Sequence, residues 1–360
     1  MSSPTSFKVE KFPAPNGLHR LGFVSAGPTG DAKMWFTGYA HGIGTVDTTA
    51  AIPSLTRLPD SIIHSCSGIA ATEDHVWYAK TYGSDPADGM SIFGVNPHGS
   101  KYATYHVPHD PNDTGWKGGA PKWLWAMTYA DNGSIYFTEK YTGKIGCFQP
   151  SLSPAPCGRK GNLEAEWKVV DFDNEVDTEI TDIVQARENL YFVDKGLGAI
   201  GCMSLTGKVS YRTYPPGEPV GVAAAPDGHV WFTAFTGNYL GRLNVDTAAL
   251  DRQVTLPPGT GPFNITNSHN GDHALWFTAR GSNQIGRMEF SVQFDEWTPK
   301  VPGEIWKHPL TPYPVTLINL DQPSDPSSWL SPPNAIAVGH DGRVWFSAEY
   351  HFGAVTPHPG

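Results

Sequence analysis

The chain is short of charge, of cysteine and of long apolar runs, and each shortage excludes a class of protein. Asp, Glu, Lys and Arg make up only 17% of the 360 residues, with 25 basic against 35 acidic side chains and a net charge of −10. A surface that tracks phosphates needs a basic excess, so no nucleic-acid partner is expected. No block of like charges marks a tail or a membrane-binding patch, and no apolar stretch approaches bilayer-spanning length; no membrane partner is expected either. The four cysteines, Cys66, Cys147, Cys157 and Cys202, lack the close paired spacing of a zinc site. They read as free buried thiols, with a Cys147–Cys157 hairpin disulfide as the alternative. The opening Met-Ser-Ser-Pro-Thr-Ser has neither the basic region nor the apolar core of a signal peptide, so the chain as written is expected in the cytoplasm. Amphipathic helical stretches are scarce, which argues against a doubly wound α/β fold.

What the chain has instead is a repeat. Seven aromatic pairs end strand-like runs: Trp35-Phe36, Trp77-Tyr78, Tyr136-Phe137, Tyr191-Phe192, Trp231-Phe232, Trp276-Phe277 and Trp345-Phe346. Each is answered by a bulky residue and a glycine: Ile43-Gly44, Phe93-Gly94, Ile145-Gly146, Ile200-Gly201, Leu240-Gly241, Ile285-Gly286 and Phe352-Gly353. In the cleanest unit, Val220–Pro257, a small-residue strand leads to the turn Pro226-Asp227-Gly228 and then to Val230-Trp231-Phe232-Thr233, Leu240-Gly241-Arg242-Leu243 and Val254-Thr255-Leu256. Four short antiparallel strands per unit make a propeller blade, and a unit that cannot bury its own apolar face must stack on its neighbours. The fold expected is all-β, a seven-bladed β-propeller forming a single domain over 1–360. The last repeat stops after its third strand, and an orphan strand at 7–12 is placed to complete it and close the ring.

In such a ring the start of each inner strand and the end of each second strand face one end of the central channel. The first set is Leu21, Ser67, Trp125, Thr181, Val220, Phe263 and Asn334; the second is Gly38, Lys80, Glu139, Asp194, Ala234, Ala279 and Ala348. Tyr39, Phe235, Arg280 and Glu349 follow the second set into the loops. Three of the four longest insertions, 79–91, 107–122 and 302–331, fall at that same end, while 149–164 falls at the other; long loops gathered on one rim commonly cover a pocket. Apolar and aromatic walls with few polar groups suit a hydrophobic small molecule. Residues expected to contact it are Leu21, Tyr39, Ser67, Trp125, Glu139, Thr181, Asp194, Phe235, Phe263 and Asn334. Those expected to act on it as acid, base or hydrogen-bond donor are Glu349, Lys80, Arg280, Tyr350 and His351, with Tyr39 as a further donor.

The repeat resembles that of the virginiamycin B lyase (streptogramin lyase) family. Pro226-Asp227-Gly228-His229-Val230-Trp231-Phe232-Thr233 and Asn283-Gln284-Ile285-Gly286-Arg287-Met288 match its blade pattern. The resemblance implies a seven-bladed propeller and a magnesium-assisted elimination that opens a cyclic depsipeptide without water. The family's last blade begins Glu-Pro-His, supplying a metal ligand and the base, where this chain has Pro332-Pro333-Asn334; a second family histidine is replaced by Phe263, and a pocket tyrosine falls on Leu21. Glu349 matches the family's remaining glutamate. A looser similarity, to fungal natural-product propellers of hetero-Diels–Alderase type, implies an apolar cage that polarises an enone without metal.

Three functions follow. The first is a metal-independent lyase or cyclase of natural-product metabolism, with no cofactor. The second is a streptogramin-type C–O lyase using magnesium on an altered set such as Glu139, Asp194 and Glu349. The third is a non-catalytic scaffold that binds a protein or peptide across the rim.

Overall fold

The protein, described from a computed structural model, is defined over residues 6–14, 21–38, 42–58, 65–82, 90–107, 123–140, 142–150, 170–171, 178–268, 272–290, 313–320 and 331–358. These residues form seven four-stranded antiparallel sheets. Blades 1 to 6 begin with the inner strands Leu21–Ala26, Ser65–Ala71, Leu124–Tyr129, Ile180–Ala186, Pro219–Ala224 and Pro262–Asn267, and run outward in chain order. Blade 7 consists of Ile336–Val338, Val344–Ser347 and His351–His358, with Ser6–Pro13 as its outermost strand. Each inner strand touches the inner strands of both neighbours, so the seven close a ring around a central channel.

The aromatic pairs hold this ring together. Neighbours on a strand point to opposite faces of the sheet, and every blade is covered on both faces. The first aromatic of each pair therefore packs towards the following blade and the second towards the preceding one. Trp231 lies in the cluster shared with blade 6 and Phe232 in the cluster shared with blade 4. Trp276 and Phe277 divide in the same way between blades 7 and 5. The same split holds in all seven blades, and among the described residues the core consists of seven clusters, one per blade interface.

The glycine of the answering dipeptide makes room for the second aromatic. Phe192 pairs across the ladder with Gly201, and Phe277 with Gly286; a Cβ on either glycine would sit 2.0 Å from the facing ring. Blade 2 is the variant, since there Gly94 lies opposite Trp77 and Phe93 stacks on Tyr78. In four blades the buried indole N–H is satisfied by an aspartate four residues earlier, as in Trp35–Asp31 (2.9 Å) and Trp231–Asp227 (3.1 Å).

The N-terminal strand closes the ring as expected. Ser6–Pro13 pairs antiparallel with His351–His358, in the register Val9 to Val355 and Phe12 to Phe352. Phe12 stacks on Phe352 and Trp345, and Phe7 meets the edge of Trp276, so this strand also joins two interfaces. Cys66, Cys147 and Cys202 are free thiols, and Cys157 lies outside the described residues. Among the described residues no helix is long and apolar enough to cross a membrane.

Candidate functional site

The inner strands do not run evenly into the channel. In six blades their pairing with the second strand slips, between Leu21 and Val24, Cys66 and Ile69, Leu124 and Met127, Ile180 and Asp182, Pro219 and Val222, and Pro262 and Ile265, and in blade 2 also between Ser65 and Cys66. Two residues there face one on the partner strand, and such a bulge re-aims side chains. The doubled residues are Gly22-Phe23, Ser67-Gly68, Trp125-Ala126, Thr181-Asp182, Val220-Gly221 and Phe263-Asn264; Asn334-Ala335 stand in the same place in blade 7.

The residue facing each bulge is the one after the aromatic pair, and in five blades it is Thr or Ser. Its hydroxyl accepts the N–H of the second bulge residue: Phe23 to Thr37 (3.0 Å), Ala126 to Thr138 (3.1 Å), Gly221 to Thr233 (2.9 Å), Asn264 to Thr278 (2.9 Å) and Ala335 to Ser347 (3.1 Å). Three of these hydroxyls donate onward to a carbonyl of the next blade: Thr233 to Phe263 (2.6 Å), Thr278 to Asn334 (3.0 Å) and Ser347 to Gly22 (2.6 Å). Blades 2 and 4 carry Ala79 and Val193 at that place. There the bulge supplies the hydroxyl itself, Ser67 donating to the carbonyl of Leu124 and Thr181 to that of Val220 (3.1 Å).

The bulge residues wall a pocket of about 80 Å³ at the end of the channel where the inner strands begin. Gly22, Phe23, Trp125, Thr181, Asp182, Val220, Phe263, Asn264, Asn334 and Ala335 line it, together with Lys140, Glu179 and Lys195. Phe23 meets Trp125 edge to face at 5.7 Å, and the Lys140 ammonium sits 3.8 Å from the Trp125 ring centre while pairing with Glu179 at 3.1 Å. Lys195 pairs with Glu218 at 3.2 Å. Asp182 accepts the N–H of Ile183 (2.9 Å) and, across the blade boundary, that of Val222 (3.0 Å). Burial among the inner strands pushes its carboxyl up to about 7, against the pull of those two hydrogen bonds.

Of the residues expected from the sequence to contact a ligand, Trp125, Thr181, Phe263 and Asn334 come together in this cavity. Leu21 does not; it packs in the core between blades 1 and 7, and Gly22 occupies the equivalent ring place. Ser67 is buried in its bond to blade 3. Phe235 stands behind Phe263, edge to face at 6.1 Å. Asp194 is buried and holds the adjoining loop, accepting the N–H groups of Glu179 (2.9 Å) and Leu197 (3.2 Å). Glu139 is buried and takes the Thr142 hydroxyl at 2.7 Å. Tyr39 lies outside the described residues, as do most of the loops 79–91, 107–122, 149–164 and 302–331.

The residues expected to act on the ligand are dispersed. Lys80 is buried opposite Cys66. The Arg280 guanidinium is exposed and lies 4.8 Å from the Phe263 ring centre. Glu349 is half-buried, with its backbone N–H on the Ser331 hydroxyl (3.1 Å), and Tyr350 is exposed. His351 is buried against Phe346, and that burial, with Lys11 adding to it, lowers its pKa to about 4. The imidazole is neutral at ordinary pH. Phe23, Lys140, Glu179, Asp182, Lys195 and Asn264 were not anticipated. Strict alternation admits one channel-facing residue per strand start, whereas the bulge admits two.

Magnesium chemistry on Glu139, Asp194 and Glu349 does not fit this arrangement. Asp194 spends one carboxylate oxygen on a loop and Glu139 accepts a neighbouring threonine. Among the described residues no three of His, Cys, Asp and Glu converge as a metal-binding group.

The sequence model of the virginiamycin B lyase family matches residues 119–304, just over half of the chain. The chain resembles a solved streptogramin B lyase at 21% identity and a TM-score of 0.71, covering 99% of this chain and 100% of that one. It resembles a catalytically inactive variant of virginiamycin B lyase from Staphylococcus aureus, solved with quinupristin, at 20% identity and a TM-score of 0.68, covering 98% and 99%. YCF48 bound to the D1 peptide shares the fold at 11% identity and a TM-score of 0.61, covering 98% and 97%. No curated protein matches the chain.

Proposed function

The chain belongs to the virginiamycin B lyase family, and from that premise we propose that it is a lyase-type enzyme that rearranges an apolar small molecule in the bulge-lined cavity without a divalent metal. The observation that carries this reading is the cavity wall. Phe23, Trp125, Val220 and Phe263 offer apolar area, while Asp182, Asn264 and Asn334 offer a few polar groups for orientation. Holding a substrate near its reacting geometry between such walls lowers the barrier, by about 7–11 kcal/mol at most. The finer forms are an elimination that opens a lactone ring, and an intramolecular cyclisation of hetero-Diels–Alder type in which a hydrogen-bond donor polarises an enone. Both leave the mass of the substrate unchanged.

The test follows from that shared property. The purified protein is incubated with a panel of apolar cyclic esters and enone-bearing precursors, with and without a chelator, and the products are read by mass spectrometry and NMR. The expected product is an isomer of the substrate, formed at the same rate in the chelator. Uptake of water, or activity lost to the chelator and restored by magnesium, contradicts the proposal. Failure of every apolar ligand to bind moves the reading to a scaffold.

A further inference from the structure

Charge is unevenly placed at the end of the channel that carries the cavity. Lys140, against the Trp125 ring, pairs with Glu179, and Lys195 pairs with Glu218. Arg280 lies against the Phe263 ring, 4.8 Å from its centre, and among the described residues its guanidinium has no acidic partner. It directly follows the second strand of blade 6, Ala274–Ala279, and its backbone N–H donates to the carbonyl of Gly261 (2.9 Å), just before the inner strand begins. The arginine is therefore set at the mouth, over a ring of the cavity wall that Phe235 supports from behind. A cation on an aromatic face is held through its charge, which leaves the planar fork of N–H donors open to a ligand. The acidic groups stand elsewhere on the rim. Glu179 and Asp182 belong to blade 4 and Glu218 to the entry of blade 5, whereas blades 6 and 7 give the wall the amides Asn264 and Asn334. The mouth is thus polarised, with one uncompensated cation on the blade 6 side in a chain of net charge −10.

Resting on the reading of the cavity as the binding site of an apolar small molecule, we propose that this molecule carries a carboxylate and that Arg280 is the residue that selects it. The apolar body lies against Trp125 and Phe263, and the carboxylate takes the guanidinium fork at the mouth through two parallel N–H···O bonds. Arg280 decides which end of the ligand enters the cavity and takes no part in making or breaking bonds. A neutral amide of the same shape fits the walls but brings no anion to the fork, and an amine meets a like charge. Glu179, Asp182 and Glu218 reinforce the choice of orientation, because a carboxylate turned towards blades 4 and 5 would face them.

The probes are para-fluorocinnamate, its amide and the corresponding cinnamylamine, titrated by fluorine NMR at low and high salt. The proteins are the parent, Arg280→Gln, Arg280→Lys and Trp125→Ala, with melting curves as controls. The proposal expects the parent to bind the acid roughly ten-fold or more tightly than the amide, and the amine least well. It expects that preference to shrink as salt rises, because the guanidinium is exposed. Arg280→Gln should remove the preference while keeping the affinity for the amide and the fold. Arg280→Lys should keep part of it, since the charge remains and the fork is lost. Trp125→Ala should weaken acid and amide alike. Equal affinity for acid and amide in the parent, or a preference that survives Arg280→Gln, overturns the role of Arg280; if Trp125→Ala still weakens both ligands, the cavity reading stands. Binding of neither ligand, or binding of both untouched by Trp125→Ala, overturns the cavity reading and the proposal with it.

Discussion

Asp182, half-buried on the cavity wall, and the buried His351 are titratable groups that act on stability in opposite directions. The Asp182 carboxyl lies at about 7 in the fold against 3.8 unperturbed, so its contribution is fully present below about 4 and is lost as pH rises through 7. The His351 imidazole lies at about 4 against 6.5, so its contribution is present above 6.5 and is lost as pH falls towards 4. Melting temperatures of Asp182→Asn and the parent should therefore coincide near pH 4 and diverge in favour of the variant up to pH 7, after which the gap stays constant. A gap independent of pH would show that the carboxyl does not titrate in that window. The tryptophans differ in a comparable way. Trp231 is fully buried between blades 5 and 6, and replacing it with alanine should cost about 3–5 kcal/mol by chemical denaturation. Trp125 lines the cavity, so Trp125→Ala should cost clearly less and show its main effect in ligand affinity.

Within each blade, the strand pattern that announces the fold and the detail that builds the site come from different physical constraints. Trp-Phe followed by Ile-Gly is legible in the sequence because both faces of every blade are buried, which turns the usual alternation into consecutive large residues. The glycine is then required by the ring it faces. Gly286→Ala would drive a methyl into Phe277 and should destabilise the protein by about 1–3 kcal/mol, read from denaturant midpoints. Thr233→Val keeps the shape and removes a hydroxyl that serves Gly221 and Phe263 at once; a loss of about 1–3 kcal/mol is expected, and a neutral result would show that the bulge does not depend on the hydroxyl facing it. The bulge itself has no residue signature. It falls on Gly22-Phe23, Thr181-Asp182 and Val220-Gly221 alike, and depends on the register of the ladder. That is why Trp125, Thr181, Phe263 and Asn334 were readable from strand starts while Phe23, Asp182 and Asn264 were not, and why Leu21 was placed one residue from Gly22. Lys140 and Lys195 follow strand ends, and only the closure of the ring brings them to the cavity.

At the scale of the whole molecule the ring is closed by residues from opposite ends of the chain. Deleting residues 1–13 removes the ladder to His351–His358 and the Phe12 and Phe7 contacts with two interfaces. The truncated protein should melt well below the parent and associate through the bared edge, seen by light scattering; an unchanged melt would contradict closure by this strand. The ring brings six bulges and the corresponding residues of blade 7 to one end of the channel, and the chemistry comes from what differs among them: aromatic rings in blades 1, 3 and 6, a carboxyl in blade 4, and amides in blades 6 and 7. The measurement that tests this most directly is a crystal structure soaked with an apolar lactone. The account predicts density for the ligand between Trp125 and Phe263, within the cavity walled by the bulge residues. A ligand bound on the outer faces of the blades or at the opposite end of the channel, with the bulge-lined cavity empty, would contradict it.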